Sequence, residues 1–186
     1  RFAPGMVYFR KTKTPNDFFV AGDSGAGYIN PGHLEEPRRF SGLPSGVETW
    51  ARHCRKFYGR WDLSITGFII DGFAPAMSEQ TLRAYATFSQ DGIVAQKIAP
   101  GGVFEGMPFV RMNLDLGGTP AEAAEQALSR LGPTVPDFQI FRTILWRPSA
   151  LKELYEAMET QGANVEIVDP FTFFLLVKQH YGGESR

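Results

Sequence analysis

The sequence predicts an α/β fold built on a mostly parallel sheet, and three observations carry that prediction. Apolar runs of strand length alternate along the chain with stretches whose apolar residues recur every three or four positions. The connections between them are short enough for right-handed crossovers. Several of the runs end in an acid or a glycine, as buried strands do where they leave a sheet. Six strand candidates are too few to close an eight-stranded barrel. The expectation is therefore a partial or distorted (β/α) barrel, with an open doubly wound sheet as the alternative.

The elements justify themselves in order. Met6-Val7-Tyr8-Phe9 precedes the basic Arg10-Lys11-Thr12-Lys13, an edge strand or the stub of a preceding domain. Phe18–Gly22 is a first strand. Residues 31–45 hold three prolines, two glycines and the charged run Glu35-Glu36-Pro37-Arg38-Arg39, which reads as an irregular loop. In the helix predicted over Gly46–Tyr58, Val47, Trp50, Ala51, Cys54 and Phe57 share a face, with Arg52, Arg55 and Lys56 on the other. Leu63–Ile70 is a nearly continuous apolar strand running into Asp71-Gly72. Ser78 caps a helix to Phe88, with Glu79 in its first turn. Gly92–Ile98 is a strand, Ala99–Gly106 a glycine-rich loop carrying Glu105, and Phe109–Leu114 another strand. Thr119, Pro120 and Glu122 supply an N-cap, a first helical position and a first-turn acid for a helix to about Leu131. Asp137–Leu145 is a strand that exits through Trp146 and Arg147. A helix from Pro148 or Ser149 to Gly162 follows, then a strand over Val165–Val168. Asp169 and Pro170 open a terminal helix to about His180.

A chain of 186 residues supports one domain with a substantial core, so residues 1–186 are read as a single α/β domain. It opens on Arg1 rather than Met, which suggests a fragment of a longer chain. Nineteen basic and twenty acidic residues give a net charge of −1 and no global electrostatic case for nucleic acid or an anionic membrane. No apolar run approaches the roughly 20 residues of a bilayer span. Cys54, the single cysteine, precludes an internal disulfide and is read as a buried, inert thiol. His33, His53 and His180 are too scattered for a recognisable metal motif, so no metal and no cofactor is expected.

The chain is organised around residues 16–31, N-D-F-F-V-A-G-D-S-G-A-G-Y-I-N-P. An apolar run passes at once into a loop with three glycines in six residues, among which stand Asp23, Ser24 and Tyr28. Glycine permits positive φ and close approach to the main chain, and an acid, a hydroxyl and a ring among glycines compose a sugar-binding or catalytic loop. A structural turn with Tyr28 packed under the next loop is the alternative. The spacing does not fit G-x-G-x-x-G, and Pro31-Gly32 opposes a phosphate-binding helix. It does not fit the G-x-S-x-G of serine hydrolases either.

Gly25-Ala26-Gly27-Tyr28-Ile29-Asn30-Pro31, with the N-D-F-F run before it, resembles the signature of the GxGYxYP family of glycoside hydrolases, departing from it at Asn30. Val168-Asp169-Pro170-Phe171-Thr172-Phe173-Phe174 is similar to the end of that family's C-terminal domain. The resemblance implies that the fragment is the C-terminal part of its longer chain, with a carbohydrate substrate, an upstream domain of the same parent chain, and a secreted or periplasmic bacterial protein.

In parallel α/β folds chemistry sits at the carboxyl ends of strands. The predicted exits carry Asp23 and Ser24, then Asp71, Lys97, Asn113 with Asp115, Trp146 with Arg147, and Asp169, so four carboxylates converge on one rim. Glycoside hydrolysis needs a protonated and an ionised carboxyl group about 5 Å apart for retention, or roughly 6.5–9.5 Å for inversion. Asp23 and Asp71 are the first candidates, Glu105 an acid on the glycine-rich loop, and Asp115 a reserve. Asp169 reads more readily as a helix cap. Ser24, Gly25, Gly27, Tyr28, Asn30, Trp146 and Arg147 are the candidate substrate contacts, the rings by stacking on sugar faces. A non-catalytic carbohydrate-binding or accessory domain is the competing class.

Overall fold

A computed structural model describes residues 3–38, 41–162 and 164–183; Arg1 and Arg39 lie outside them. Strands β1 (Ile65–Ile69), β2 (Gly92–Ala95), β3 (Gly101–Phe104) and β4 (Met107–Arg111) form one sheet in the order β1-β2-β4-β3. The β1/β2 and β2/β4 pairs are parallel and β3/β4 antiparallel. A second sheet pairs β5 (Leu114–Leu116) with β6 (Phe141–Thr143) in parallel. The fold is thus mixed α/β with a mostly parallel main sheet. Among the described residues neither sheet closes into a barrel.

Helices cover both faces of the main sheet. Helix α2 (Val47–Trp61) buries Val47, Trp50, Ala51, Cys54 and Tyr58 against Tyr85 of α3 (Glu79–Ala86), Phe88, and the strand residues Ile69, Ile93, Ala95 and Met107. Phe57, assigned to that stripe by spacing, is only half-buried, and Tyr58 takes the inner position. On the other face α6 (Pro170–Gly182) lays Phe174 and Val177 on Ile65, Val94 and Val110. Gly92 permits this contact, because a Cβ there would sit 2.3 Å from the Phe174 ring. Helices α4 (Pro120–Leu128) and α5 (Pro148–Thr160) pack on β5 around Leu116, Ala123, Ala127, Leu154 and Met158. Among the described residues no helix is long and apolar enough to cross a membrane.

Several predicted elements are corrected. Residues 1–15 contain helix α1 (Ala3–Thr12) rather than an edge strand. It is fixed by Arg10, whose guanidinium donates to the carbonyls of Trp61 and Asp62 at the end of α2. Phe18–Gly22 is extended but contributes only a bridge between Ala21 and Thr66, along the outer edge of β1. The predicted loop Ala99–Gly106 contains β3, which hairpins into β4 through Glu105 and Gly106 at φ 47° and 84°. That is the positive-φ pair a tight hairpin needs. Phe109–Leu114 divides between β4 and β5, and Asp137–Leu145 shrinks to β6. Val165–Val168 forms no strand; Val165 packs against the α4–α5 cluster instead of pairing.

The predicted caps are present. Ser78 accepts from the Thr81 N–H, and Thr119 and Glu122 form a reciprocal capping box. Removing one half of that box in Thr119→Ala is expected to lower unfolding free energy by about 1 kcal/mol, with Thr119→Ser near wild type, as read by urea titration.

Candidate functional site

The strand exits β1, β2 and β4 point to one end of the main sheet, the rim, and the opposite end is its foot. At the rim the chain leaving Ala21 turns through Asp23, Ser24 and Gly25 at φ 51°, 61° and 90°. Left-handed conformation is unfavourable for a residue with a Cβ, so tertiary contacts must hold Asp23 and Ser24 there. Ser24 supplies them. It is wholly buried, its Oγ accepts the Ile70 N–H at 2.9 Å, and its carbonyl accepts the Tyr85 hydroxyl at 3.1 Å. Gly25 lies against the core, where a Cβ would meet the Tyr58 hydroxyl at 2.9 Å and Cys54 Sγ at 3.3 Å. That hydroxyl begins a buried chain through Thr66 to Ser89, at 2.7 and 2.5 Å. Burial pushes the Cys54 thiol up to about 12, as an inert core cysteine requires.

Beyond this anchor the loop turns outward. Gly27, at φ 88°, has open space around it, and Tyr28 is 81% exposed, so the ring does not pack under the following loop. Asn30 is half-buried, and its Oδ1 has no hydrogen-bond partner among the described residues.

The acids separate into three environments. Asp71 has no exposed surface; its two carboxylate oxygens accept the N–H groups of Gln96 at 2.8 Å and Lys97 at 3.0 Å, tying the exit of β1 to that of β2. Burial raises its pKa, against those hydrogen bonds. Asp115 pairs with Arg142 across β5 and β6 through two hydrogen bonds of 2.7 and 2.5 Å. The Arg142 guanidinium also lies 4.4 Å from the centre of the Phe68 ring of β1. Its pKa is raised chiefly by Asp115 and further by Tyr28 and Asp23, which places the signature loop within electrostatic reach of this pair. Asp115, Arg142 and Phe68 are thus in direct contact, and the signature loop with Asp23 and Tyr28 is at the same rim. Arg142 was not among the predicted site residues.

The remaining acids lie at the foot. Glu105 is in the turn that precedes β4 and binds Arg83 at 2.7 Å. Asp169 caps α6, accepting from the N–H groups of Phe171 and Thr172, and its pKa is lowered, mostly by the Thr172 hydroxyl. The predicted rim of four carboxylates is corrected to three, because no strand precedes Asp169. Trp146 is half-buried against the α4–α5 cluster, and Arg147 is exposed at the start of α5. Lys97 at the β2 exit donates from Nζ to the carbonyl of Ala74 at 2.6 Å. Among the described residues no three His, Cys, Asp or Glu side chains form a metal-binding group.

A model of the GxGYxYP putative glycoside hydrolase C-terminal domain matches residues 1–178. The chain belongs to that family. No curated protein and no solved structure matches it.

Two outcomes follow from the rim geometry. Tyr85→Phe strands the Ser24 carbonyl without its donor and is expected to destabilise the chain by about 1–3 kcal/mol, measured by urea titration. For Asp71 the sign is fixed by its raised pKa. The folded state holds the proton more tightly than the unfolded chain, so this group's contribution to stability falls as pH rises from about 4. Asp71→Asn removes that dependence. The unfolding free energy of the variant, relative to wild type, is expected to rise between pH 4 and pH 7.

Proposed function

We propose that this member of the family serves a glycoside hydrolase by holding poly- or oligosaccharide along the rim, with Asp23 as the carboxylate that faces the substrate. The observation that supports this reading is the rim loop. Positive-φ residues carrying a Cβ persist only where surrounding structure enforces them, and they concentrate at ligand clamps and active sites. Here the enforcement comes from a wholly buried serine, and what the loop presents is a carboxylate and an exposed phenol. Asp23 has no side-chain hydrogen bond among the described residues, which leaves it open to a ligand. An unpaired carboxylate on a fixed loop can contact a sugar hydroxyl or its reacting carbon, and Tyr28 offers a sugar an apolar face and a hydroxyl. Asp115 and Arg142 can hydrogen-bond hydroxyl groups from the facing sheet.

The proton donor of such a reaction is a carboxyl group kept protonated by its surroundings. Asp71 has the raised pKa, but both of its oxygens are engaged and it has no surface. In this reading it positions the rim, and the donor is supplied by an upstream domain. The open sheet is then part of a larger, distorted (β/α) barrel layer in a secreted or periplasmic parent protein.

One observation favours a second reading, an accessory domain that binds glycan without cleaving it. Of the three rim acids, Asp71 is sealed and Asp115 is ion-paired, leaving Asp23 alone. The two readings part on variants of the full-length protein. Asp23→Asn is expected to lower glycan hydrolysis by about 10²-fold or more with an unchanged unfolding midpoint. Tyr28→Ala is expected to weaken glycan affinity about tenfold. Full hydrolysis in Asp23→Asn with weakened binding in Tyr28→Ala selects the accessory reading, and wild-type behaviour in both removes the rim from the function.

A further inference from the structure

We propose a second carbohydrate-binding site at the foot of the main sheet, in a cleft that no part of the rim lines. The cleft has a volume of about 540 Å³ and lies between the segment after α1, the turns that lead into β1 and β2, and the start of α6. That size falls within the roughly 300–1,000 Å³ of small-molecule sites.

Its apolar wall is aromatic. Phe18 and Phe171 are 45% and 36% exposed, and their rings meet at 6.2 Å between centroids. Phe19 is covered by Arg10, whose guanidinium stands 4.6 Å from the ring centre. Lining a concave cleft, these rings give it an apolar face, and ring faces receive the C–H face of a pyranose.

The polar wall sets the ligand class. Arg10 is committed to Asp62 and the end of α2, and Asp17 to the N–H and hydroxyl of Thr14. Lys13, Ser64 and Asp91 line the cleft with no side-chain hydrogen bond among the described residues. An ammonium, a hydroxyl and a carboxylate together offer donors and acceptors in comparable supply. Three carboxylates against two cations oppose a phosphate or carboxylate ligand, and the Lys13 ammonium lining the cleft opposes a cation. A neutral polyhydroxylated ligand with an apolar face matches both walls, which describes a short neutral oligosaccharide.

The cleft's walls, not the rim's chemistry, fix this ligand, and the test separates the two. Amide NMR spectra of the ¹⁵N-labelled chain are recorded during titration with cellohexaose, maltohexaose and chitohexaose. At least one sugar is expected to shift the amides of Lys13, Phe18, Ser64, Asp91 and Phe171. Phe18→Ala and Asp91→Asn should each weaken that binding about tenfold, while Tyr28→Ala leaves it unchanged. Phe18 is half open and Asp91→Asn keeps the side-chain shape, so both variants can be checked for a native spectrum first. Shifts confined to the loop around Tyr28 and to Arg142 overturn the cleft and leave the rim reading standing. Cleft shifts without rim shifts do the reverse. No shift with any of the three sugars, or equal shifts with inorganic sulfate, overturns the site.

Discussion

Where a parallel sheet ends, its last main-chain N–H groups run out of partner strands, and a buried donor left unpaired costs about as much as a lost hydrogen bond. This fold meets that constraint with side chains. Asp71 accepts from Gln96 and Lys97 at the β2 exit, and Ser24 accepts from Ile70 at the β1 exit. Both are wholly buried. Desolvation makes Asp71 expensive to ionise, which is why its pKa rises in spite of two charge-assisted bonds. The signature loop and the exits of β1 and β2 are held in register by these two acceptors. The signature loop can hold its left-handed turn because Ser24 is locked beneath it, and Gly25 can follow because it has no side chain to collide with Tyr58.

Arg142 extends that registration to the smaller sheet. Strand β5 follows β4 after two residues, and Met112, Phe138 and Ile140 beside the β5–β6 pair pack against the core of the main sheet. A guanidinium bonded to Asp115 at its edge and resting on Phe68 with its face uses both recognition modes of arginine at once. A lysine there would keep a charge but lose the fork and the stacking plane, so the residue type matters more than its sign.

How far this was legible follows from the range of each interaction. Helices α2, α3, α4 and α6 were read from local signals: an apolar stripe, Ser78, the Thr119–Glu122 box, and Asp169 before Pro170. Strand β3 was not, because Gly101-Gly102 has the composition of a loop; rings of Tyr181 and Phe109 fill the space its missing side chains leave. Asp71 was found as a strand-exit acid, but its burial depends on a neighbouring strand 25 residues on. Arg142 sits inside a strand, where a search of strand exits passes over it. The signal was nonetheless present: Leu114-Asp115-Leu116 and Phe141-Arg142-Thr143 each place one charge, of opposite sign, at the centre of a short run. Aligning those centres predicts the cross-strand pair that β5 and β6 form.

The segment 16–28 ties the two ends of the sheet together mechanically. It begins at the foot, with Phe18 against Phe171, and runs along the outer edge of β1. There Val20 lies over Gly67, where a Cβ would approach it to 3.0 Å, and Ala21 bonds on both sides to the β1 backbone at 2.9 and 2.7 Å. It ends at the rim with Ser24 pinned to Ile70. A segment fixed at its middle and at its rim end cannot slide along β1 without breaking buried hydrogen bonds. The distance between the aromatic pair at the foot and the carboxylate at the rim is therefore set by the strand it follows. The two motifs by which the chain resembles its family meet at Phe18 and Phe171, which makes the foot as much a part of what the sequence encodes as the rim.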